Sequence, residues 1–374
     1  MAPAADGGRA RVLVVSGSVG AGHDGAADEL IARLSAVGVA TERRDYLDAI
    51  PWLGRLILRE GYELSIGYAP RFFDWLFDNL EHKGWVQRIT LLLCFAARFR
   101  MRRWAKGHHV VVSTFPLASQ TLGQLRASGA LDATVVTYLT DPAVHRMWVH
   151  ANVDHHLTVT EATSRMGRLA YRTPMYAVGG LVSSRFGQRL APERRLALRQ
   201  ELGLSPDRPV ILMVAGSLGL GDVPRAVREI AATKVAQILV LCGRNARLRA
   251  ELDRREDGVI ALGWRDDVPQ LMAMADVLIH NAGGLTLTEA LTAGLPAITF
   301  RPIPGHGTAN ARTLAEAGLA PWPADCAELA DVVRQHASLR CDPSAVVRKP
   351  DAAQVVVGLL SDRVRPAGQA QRTA

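Results

Sequence analysis

Three turns in this chain combine glycine with groups able to hold an anion or move a proton. The first, Gly20-Ala21-Gly22-His23-Asp24-Gly25, follows an apolar run ending at Ser16 and opens a helical stretch. Glycines let backbone N–H groups come close to a ligand, and a helix N-terminus adds positive potential for an anion. Gly20, Gly22 and Gly25 satisfy Gly-x-Gly-x-x-Gly, with an acid, Asp45, about 20 residues on, the spacing of a dinucleotide site. However, an imidazole fills a spacer where such a turn needs small backbone, and extra residues precede its first glycine, which argues against a redox enzyme. His23 at a helix start is a suitable general base, because the dipole disfavours the imidazolium and keeps the ring neutral near pH 7. A histidine that only bonds its own loop is the plain alternative.

The second turn, Ala215-Gly216-Ser217-Leu218-Gly219, again follows a buried apolar run. Two such turns in successive halves suggest a ligand shared across a cleft. The third, Asn281-Ala282-Gly283-Gly284-Leu285-Thr286 followed by Glu289, reads as a strand, a glycine pair and a helix start. Free N–H groups and the Thr286 hydroxyl suit a diphosphate there. Glu289 suits a ribose diol, accepting two hydrogen bonds. Otherwise it is a surface capping glutamate.

Short β-branched runs alternating with amphipathic helical stretches must position these turns. The runs are 12–16, 110–114, 134–139 and 156–160 in the first half, and 210–214, 237–241, 259–262, 277–280 and 297–300 in the second. This alternation predicts parallel α/β units in both halves. Residues 1–180 form the expected first domain, 181–365 the second, and 366–374 a disordered tail. The first domain carries an insert, 50–109, in which Trp52, Phe72, Trp75, Trp85, Phe95, Phe99 and Trp104 alternate with arginines such as Arg88, Arg98, Arg102 and Arg103. Aromatics on one helical face and arginines on the other predict contact with an anionic membrane surface. Core aromatics beneath a solvated arginine face are the alternative.

Composition bounds the rest. With 374 residues, 48% hydrophobic and 21% charged, the chain has ordinary globular make-up, which excludes disorder and a polytopic membrane protein. The longest apolar run, 89–97, is far short of the roughly 18 residues of a membrane span. A net charge of +8 admits an anionic partner, but cations interleaved with helical apolar positions argue against nucleic acid. Cys94, Cys242, Cys326 and Cys341 form no Cys-x-x-Cys pair, which fits the reducing cytoplasm.

Together, Gly20-Ala21-Gly22-His23, Thr140-Asp141 with His145 and Trp148, Cys242-Gly243-Arg244-Asn245, Gly263-Trp264 and the segment from Gly283 to Glu289 resemble the monogalactosyldiacylglycerol synthase and processive diacylglycerol glucosyltransferase family. This belongs to glycosyltransferase family 28, with relatives that add N-acetylglucosamine to lipid I. The resemblance spans residues 11 to 320. It implies a GT-B fold, two Rossmann-like domains facing a cleft, and inverting transfer of a hexose from a UDP-sugar to a lipid hydroxyl, most simply diacylglycerol. It implies no cofactor, since the UDP-sugar is a substrate, and no metal, in keeping with the lack of an Asp-x-Asp pair. Uracil would lie on Gly263, Trp264 and Arg265, ribose on Glu289, and diphosphate on Gly284, Leu285 and Thr286. Gly22, Gly216, Ser217, Arg244, Gly283 and Asn310 complete the implied donor set. His23 or Asp141 would be the base. The enzyme would work peripherally, on the cytoplasmic face of the cell membrane.

Two departures stand out. Pro304-Gly305-His306-Gly307 occupies the family's Pro-Gly-Gln-Glu position, losing two contacts to the donor sugar and leaving that sugar open. Asn281 stands where relatives carry Lys or Arg, shifting phosphate neutralisation to the helix dipole and Arg244. A UDP-sugar epimerase or hydrolase on the same fold, or a nucleotide-sugar sensor with weakened catalysis, are the competing readings.

Overall fold

The computed structural model describes residues 10–216, 219, 221–253 and 258–364. The first apolar run forms β1 (Arg11–Ser16) and leads into α1 (Ala21–Ala36), after which the chain returns as β2 (Ala40–Asp45). The insert is helical: α2 (Trp52–Tyr68), α3 (Pro70–Glu81) and α4 (Trp85–Ala105). Then come β3 (Val110–Ser113), α5 (Pro116–Ala127), β4 (Thr134–Leu139), β5 (His155–Thr158), α6 (Glu161–Tyr171) and β6 (Met175–Ala177). The strands pair in parallel in the order β2-β1-β3-β4-β5-β6.

The second half opens with α7 (Pro192–Glu201) and continues as β7 (Val210–Val214), α8 (Val223–Thr233), β8 (Gln237–Leu241), α9 (Ala246–Leu252), β9 (Val259–Leu262) and α10 (Val268–Met274). It closes with β10 (Val277–His280), α11 (Gly284–Thr292), β11 (Ala297–Thr299), α12 (His306–Glu316), α13 (Cys326–His336) and α14 (Ala352–Val364). Its sheet, also parallel, runs β11-β10-β7-β8-β9. Strand order reverses beside β1 in one sheet and beside β7 in the other, and open α/β sheets bind ligands at the carboxyl ends of strands at such points. Those ends lead to His23, Gly216 and Gly283.

Both faces of the parallel strands are covered, so successive residues serve different cores. Val12 and Val14 pack with α1, whereas Leu13 and Val15 pack with α4 and α5. Two strands lack an apolar signature. β2 is Ala-Thr-Glu-Arg-Arg-Asp, an edge strand whose Arg43 pairs with Asp24 at 2.7 Å and with Asp28. β6 is only three residues long and forms the other edge.

One boundary needs correction. Helix α14, expected within the second domain, packs against α1 and β3 of the first, and Arg363 Nε donates to Thr134 Oγ1 at 3.0 Å. Val356 and Leu360 of α14 join an apolar cluster that also holds Leu30 and Leu34 of α1. The expected disordered tail, 366–374, lies outside the described residues.

In the insert, Cys94, Ala97, Met101 and Ala105 recur at helical spacing and bury one face of α4. Its other face leaves Trp85, Ile89, Leu92, Phe95 and Phe99 exposed, Phe99 by 79%. The expected separation of aromatics from arginines is not kept, since the Arg98 guanidinium lies 4.9 Å from the centre of the Phe95 ring. No helix among the described residues is long and apolar enough to cross a membrane.

Candidate functional site

His23 sits in the first turn of α1. Its carbonyl accepts from Thr114 Oγ1 at 3.0 Å, and its Nδ1 lies 3.1 Å from Thr140 Oγ1. Phe115 and Trp148 flank the ring, with centroids 5.2 and 5.8 Å away. Burial lowers the His23 pKa against the opposing pull of Asp141, so the ring is neutral at pH 7. Trp148 is itself buried, and its indole N–H donates to Asp141 Oδ2 at 3.0 Å, which fixes that carboxylate beside the imidazole.

Two more imidazoles converge on Asp141. His306 starts α12 with its ring 5.8 Å from Phe73 and 6.1 Å from Phe77 of the insert. Burial lowers its pKa, Asp141 opposes this, and His23 and His145 add to it. His145 Nε2 is 3.2 Å from the Phe77 carbonyl and 3.4 Å from Glu81 Oε2. In the sequence His306 stands out only as a departure from a motif; its place beside Asp141 depends on how the second half meets the insert, which no local pattern records.

Across the interface, a cavity of about 340 Å3 is lined by Gly216, Gly263, Trp264, Leu285, Thr286 and Glu289. Together with Arg265, which also lines it, seven of the expected donor residues share one space. Gly216 has φ of 74°, a left-handed conformation that glycine adopts without strain. Burial raises the Glu289 carboxyl to about 8. Trp264 is half exposed, with the Arg244 guanidinium 4.3 Å from the ring centre. Ala282, just before the glycine pair, has φ of 74°, unusual for a residue with a Cβ and of the kind that collects at functional turns. Arg185, on the segment between the halves, also lines the cavity, and nothing in its sequence context marked it.

The other expected residues lie elsewhere. Arg244 stacks on Trp264 without lining the cavity. Gly22 faces Leu285, and Gly283 caps α11. Gly284 lies where the halves touch: a Cβ there would come 2.2 Å from the Thr140 carbonyl oxygen. Asn310 is 1% exposed, its Oδ1 accepting from the Ala143 N–H at 2.9 Å and its Nδ2 donating to the Ala282 carbonyl at 3.1 Å. It ties the two halves together and is not among the residues that line the cavity. Ser217 lies outside the described residues.

Residues 23–169 match the family model described as monogalactosyldiacylglycerol (MGDG) synthase, and residues 210–345 that of the glycosyltransferase family 28 C-terminal domain. The processive diacylglycerol beta-glucosyltransferase of Bacillus licheniformis is 23% identical over 320 residues, covering 83% of this chain and 82% of the relative. That of Bacillus subtilis is 24% identical over 321 residues, with the same coverage of each chain. Among solved structures, Acinetobacter baumannii MurG aligns with a TM-score of 0.56 and 20% identity, over 95% of this chain and all of that one. The glycotransferase of kitacinnamycin aligns with a TM-score of 0.61 and 16% identity, over 95% and 99%. The fold is GT-B, two parallel Rossmann-like sheets facing a cleft.

Proposed function

We propose that this chain, a glycosyltransferase of family 28 in the group of monogalactosyldiacylglycerol synthases and processive diacylglycerol glucosyltransferases, transfers a hexose from a UDP-sugar to diacylglycerol with inversion, at the cytoplasmic membrane face. The observation that carries this reading is the gathering of Gly216, Gly263, Trp264, Thr286 and Glu289 around one cavity, with His23 on the facing turn.

With Nδ1–H donating to Thr140, the His23 Nε2 lone pair takes the proton of the acceptor hydroxyl. The acceptor oxygen bonds to the anomeric carbon as the bond to the diphosphate breaks on the opposite side. Asp141, held by Trp148, stabilises the imidazolium that forms. The electron pair leaves with UDP, and the N-terminal N–H groups of α11 and the Thr286 hydroxyl meet the growing charge. In this scheme no metal clamps the diphosphate, so transfer continues undiminished in excess chelator; loss of turnover in EDTA, restored by a divalent cation, would contradict it. The exposed aromatic face of α4, with Arg88 and Arg102 near it, supports seating on an anionic bilayer.

The test is UDP release from a panel of UDP-sugars, with and without anionic vesicles containing diacylglycerol. Vesicle-dependent release with one donor is expected and identifies the sugar. Release that ignores diacylglycerol would replace transfer by hydrolysis, and conversion of the UDP-sugar to an isomer without UDP release would replace it by epimerisation.

A further inference from the structure

A second cavity, of about 710 Å3, opens between the two halves and shares no lining residue with the donor cavity. Its cations are Arg33, Arg189, Arg195, Arg340, Arg348 and Lys349, against one lining carboxylate, Asp351. Two of these cations are matched: Arg33 bonds Glu29 at 2.7 Å and Asp351 at 3.1 Å, and Arg195 pairs with Asp276. Asp276 is already shared with Arg199, at 2.7 Å.

The other four are not matched. Arg348 reaches Glu161 only at 3.9 Å, and its buried Nε has no hydrogen-bond partner. Among the described residues, Arg189, Arg340 and Lys349 have no carboxylate within ion-pair distance. Burial lowers the Arg340 pKa, and Arg195, Arg199 and Arg189 lower it further, although Asp276 opposes them. The C-terminal end of α11, Thr292 to Gly294, also lines this space, but a helix end carries only about half a negative charge. It offsets part of one cation.

The walls are preformed. The Gly180 N–H donates to the Val346 carbonyl at 2.7 Å, and Gly179, with φ of 81°, lies so close that a Cβ would come 2.5 Å from that oxygen. The segment joining the halves and the segment entering α14 are thus fastened together beneath the arginines. Walls and charges alike await a multivalent anion, since guanidinium forks bind phosphate oxygens in pairs.

We propose that this cavity binds a soluble, phosphate-dense anion carrying at least two negative charges, and that the occupied site alters donor binding. The source is soluble because no described residue of α2, α3 or α4, the helices with the exposed apolar face, lines the cavity. Coupling runs through two shared elements. Gly180, Val182 and Ser184 face the basic cavity while Ser183, Arg185 and Phe186 face the donor cavity. Helix α11 presents Leu285, Thr286 and Glu289 to the donor side and its last turn to the basic side. The coupling rests on the donor reading above; the anion site itself does not.

The test uses the full chain, titrated calorimetrically with inorganic pyrophosphate while saturating UDP fills the donor cavity. Wild type is expected to bind one equivalent, and the exposed-site variant Arg189→Glu/Arg340→Glu to bind at least about tenfold more weakly, two charge-assisted contacts being lost. The single variant Lys349→Glu gives an independent reading in the same direction. UDP affinity without pyrophosphate stays at the wild-type value in both variants, which also reports their folding. In wild type alone, pyrophosphate shifts the UDP Kd. Equal pyrophosphate binding by wild type and variants, no binding at all, or binding only to vesicles of anionic lipid would overturn the proposal. If UDP binds neither protein while pyrophosphate still separates them, the donor reading fails and the anion site stands.

Discussion

At the scale of single residues, the proposed mechanism divides the site into groups that would move a proton and groups that would hold the donor, and substitutions should separate them. His23→Ala removes the proposed base while leaving the cavity around Glu289 untouched, so turnover should fall roughly 10²- to 10⁴-fold with little change in UDP affinity. Asp141→Asn should cost less, because it removes charge beside the imidazole but keeps a partner for Trp148. Steady-state kinetics with direct UDP binding checks both; a larger loss in the asparagine variant would make Asp141 the base. Glu289 offers a pH test. Burial raises its carboxyl to about 8, and in the proposed donor pose two ribose hydroxyls donating to it would favour the ionised form and lower that value. UDP binding below pH 8 therefore expels a proton, and affinity should rise with pH, by up to about tenfold per unit, before levelling above 8. Calorimetry in buffers of different ionisation enthalpy measures the released proton, and Glu289→Gln should flatten the profile.

At the scale of elements, what is legible in the sequence depends on burial. Strands covered on both faces, such as β1, β3 and β7, show as apolar runs. The edge strands β2 and β6 do not: the first is charged along its length and the second too short to show a pattern. Within the cleft, Gly216, Thr286 and Glu289 are legible because each sits at a strand end or helix start, where the turn itself is the signal, whereas Gly263 and Trp264 come only with the family resemblance. Arg185 and the placement of His306 are not legible, because both arise from contact between segments far apart in the chain. Exposed Trp85 and Phe99, on the open face of α4, give the insert its own test. Burying a large apolar side chain in a bilayer interface is worth about 1.5 to 3 kcal/mol, so Phe99→Ser should weaken partition to anionic vesicles roughly tenfold or more. Vesicle co-sedimentation measures this, and turnover of a short-chain soluble acceptor should be spared. Unchanged partition would remove α4 from the membrane contact.

At the scale of the molecule, the two halves meet as though they were one body. A single apolar cluster runs from Val12 and Leu30 of the first sheet and α1 through Leu287 of α11 to Val356 of α14, and Asn310 hydrogen-bonds to a loop from each half. The approach is close at Gly284, whose backbone lies against the Thr140 carbonyl next to the partner of His23. On the proposed mechanism this contact sets the distance between helix α11 and the turn that carries His23. Gly284→Ala keeps the N–H that would face a phosphate but places a methyl 2.2 Å from backbone oxygen, a clash that only separation of the halves can relieve. Overpacking of this kind costs about 1 to 3 kcal/mol, and here that cost falls on the closed arrangement. UDP, held almost wholly by the second half, should bind within a few-fold of wild type, whereas transfer, which needs His23 brought up to the anomeric carbon, should fall by 10-fold or more, about the effect of 1.4 kcal/mol on the barrier. Small-angle scattering should show a slightly larger radius for the variant even with UDP bound. Matching losses of UDP affinity and turnover would mean that Gly284 serves the phosphate alone, and that the distance between the halves is set elsewhere.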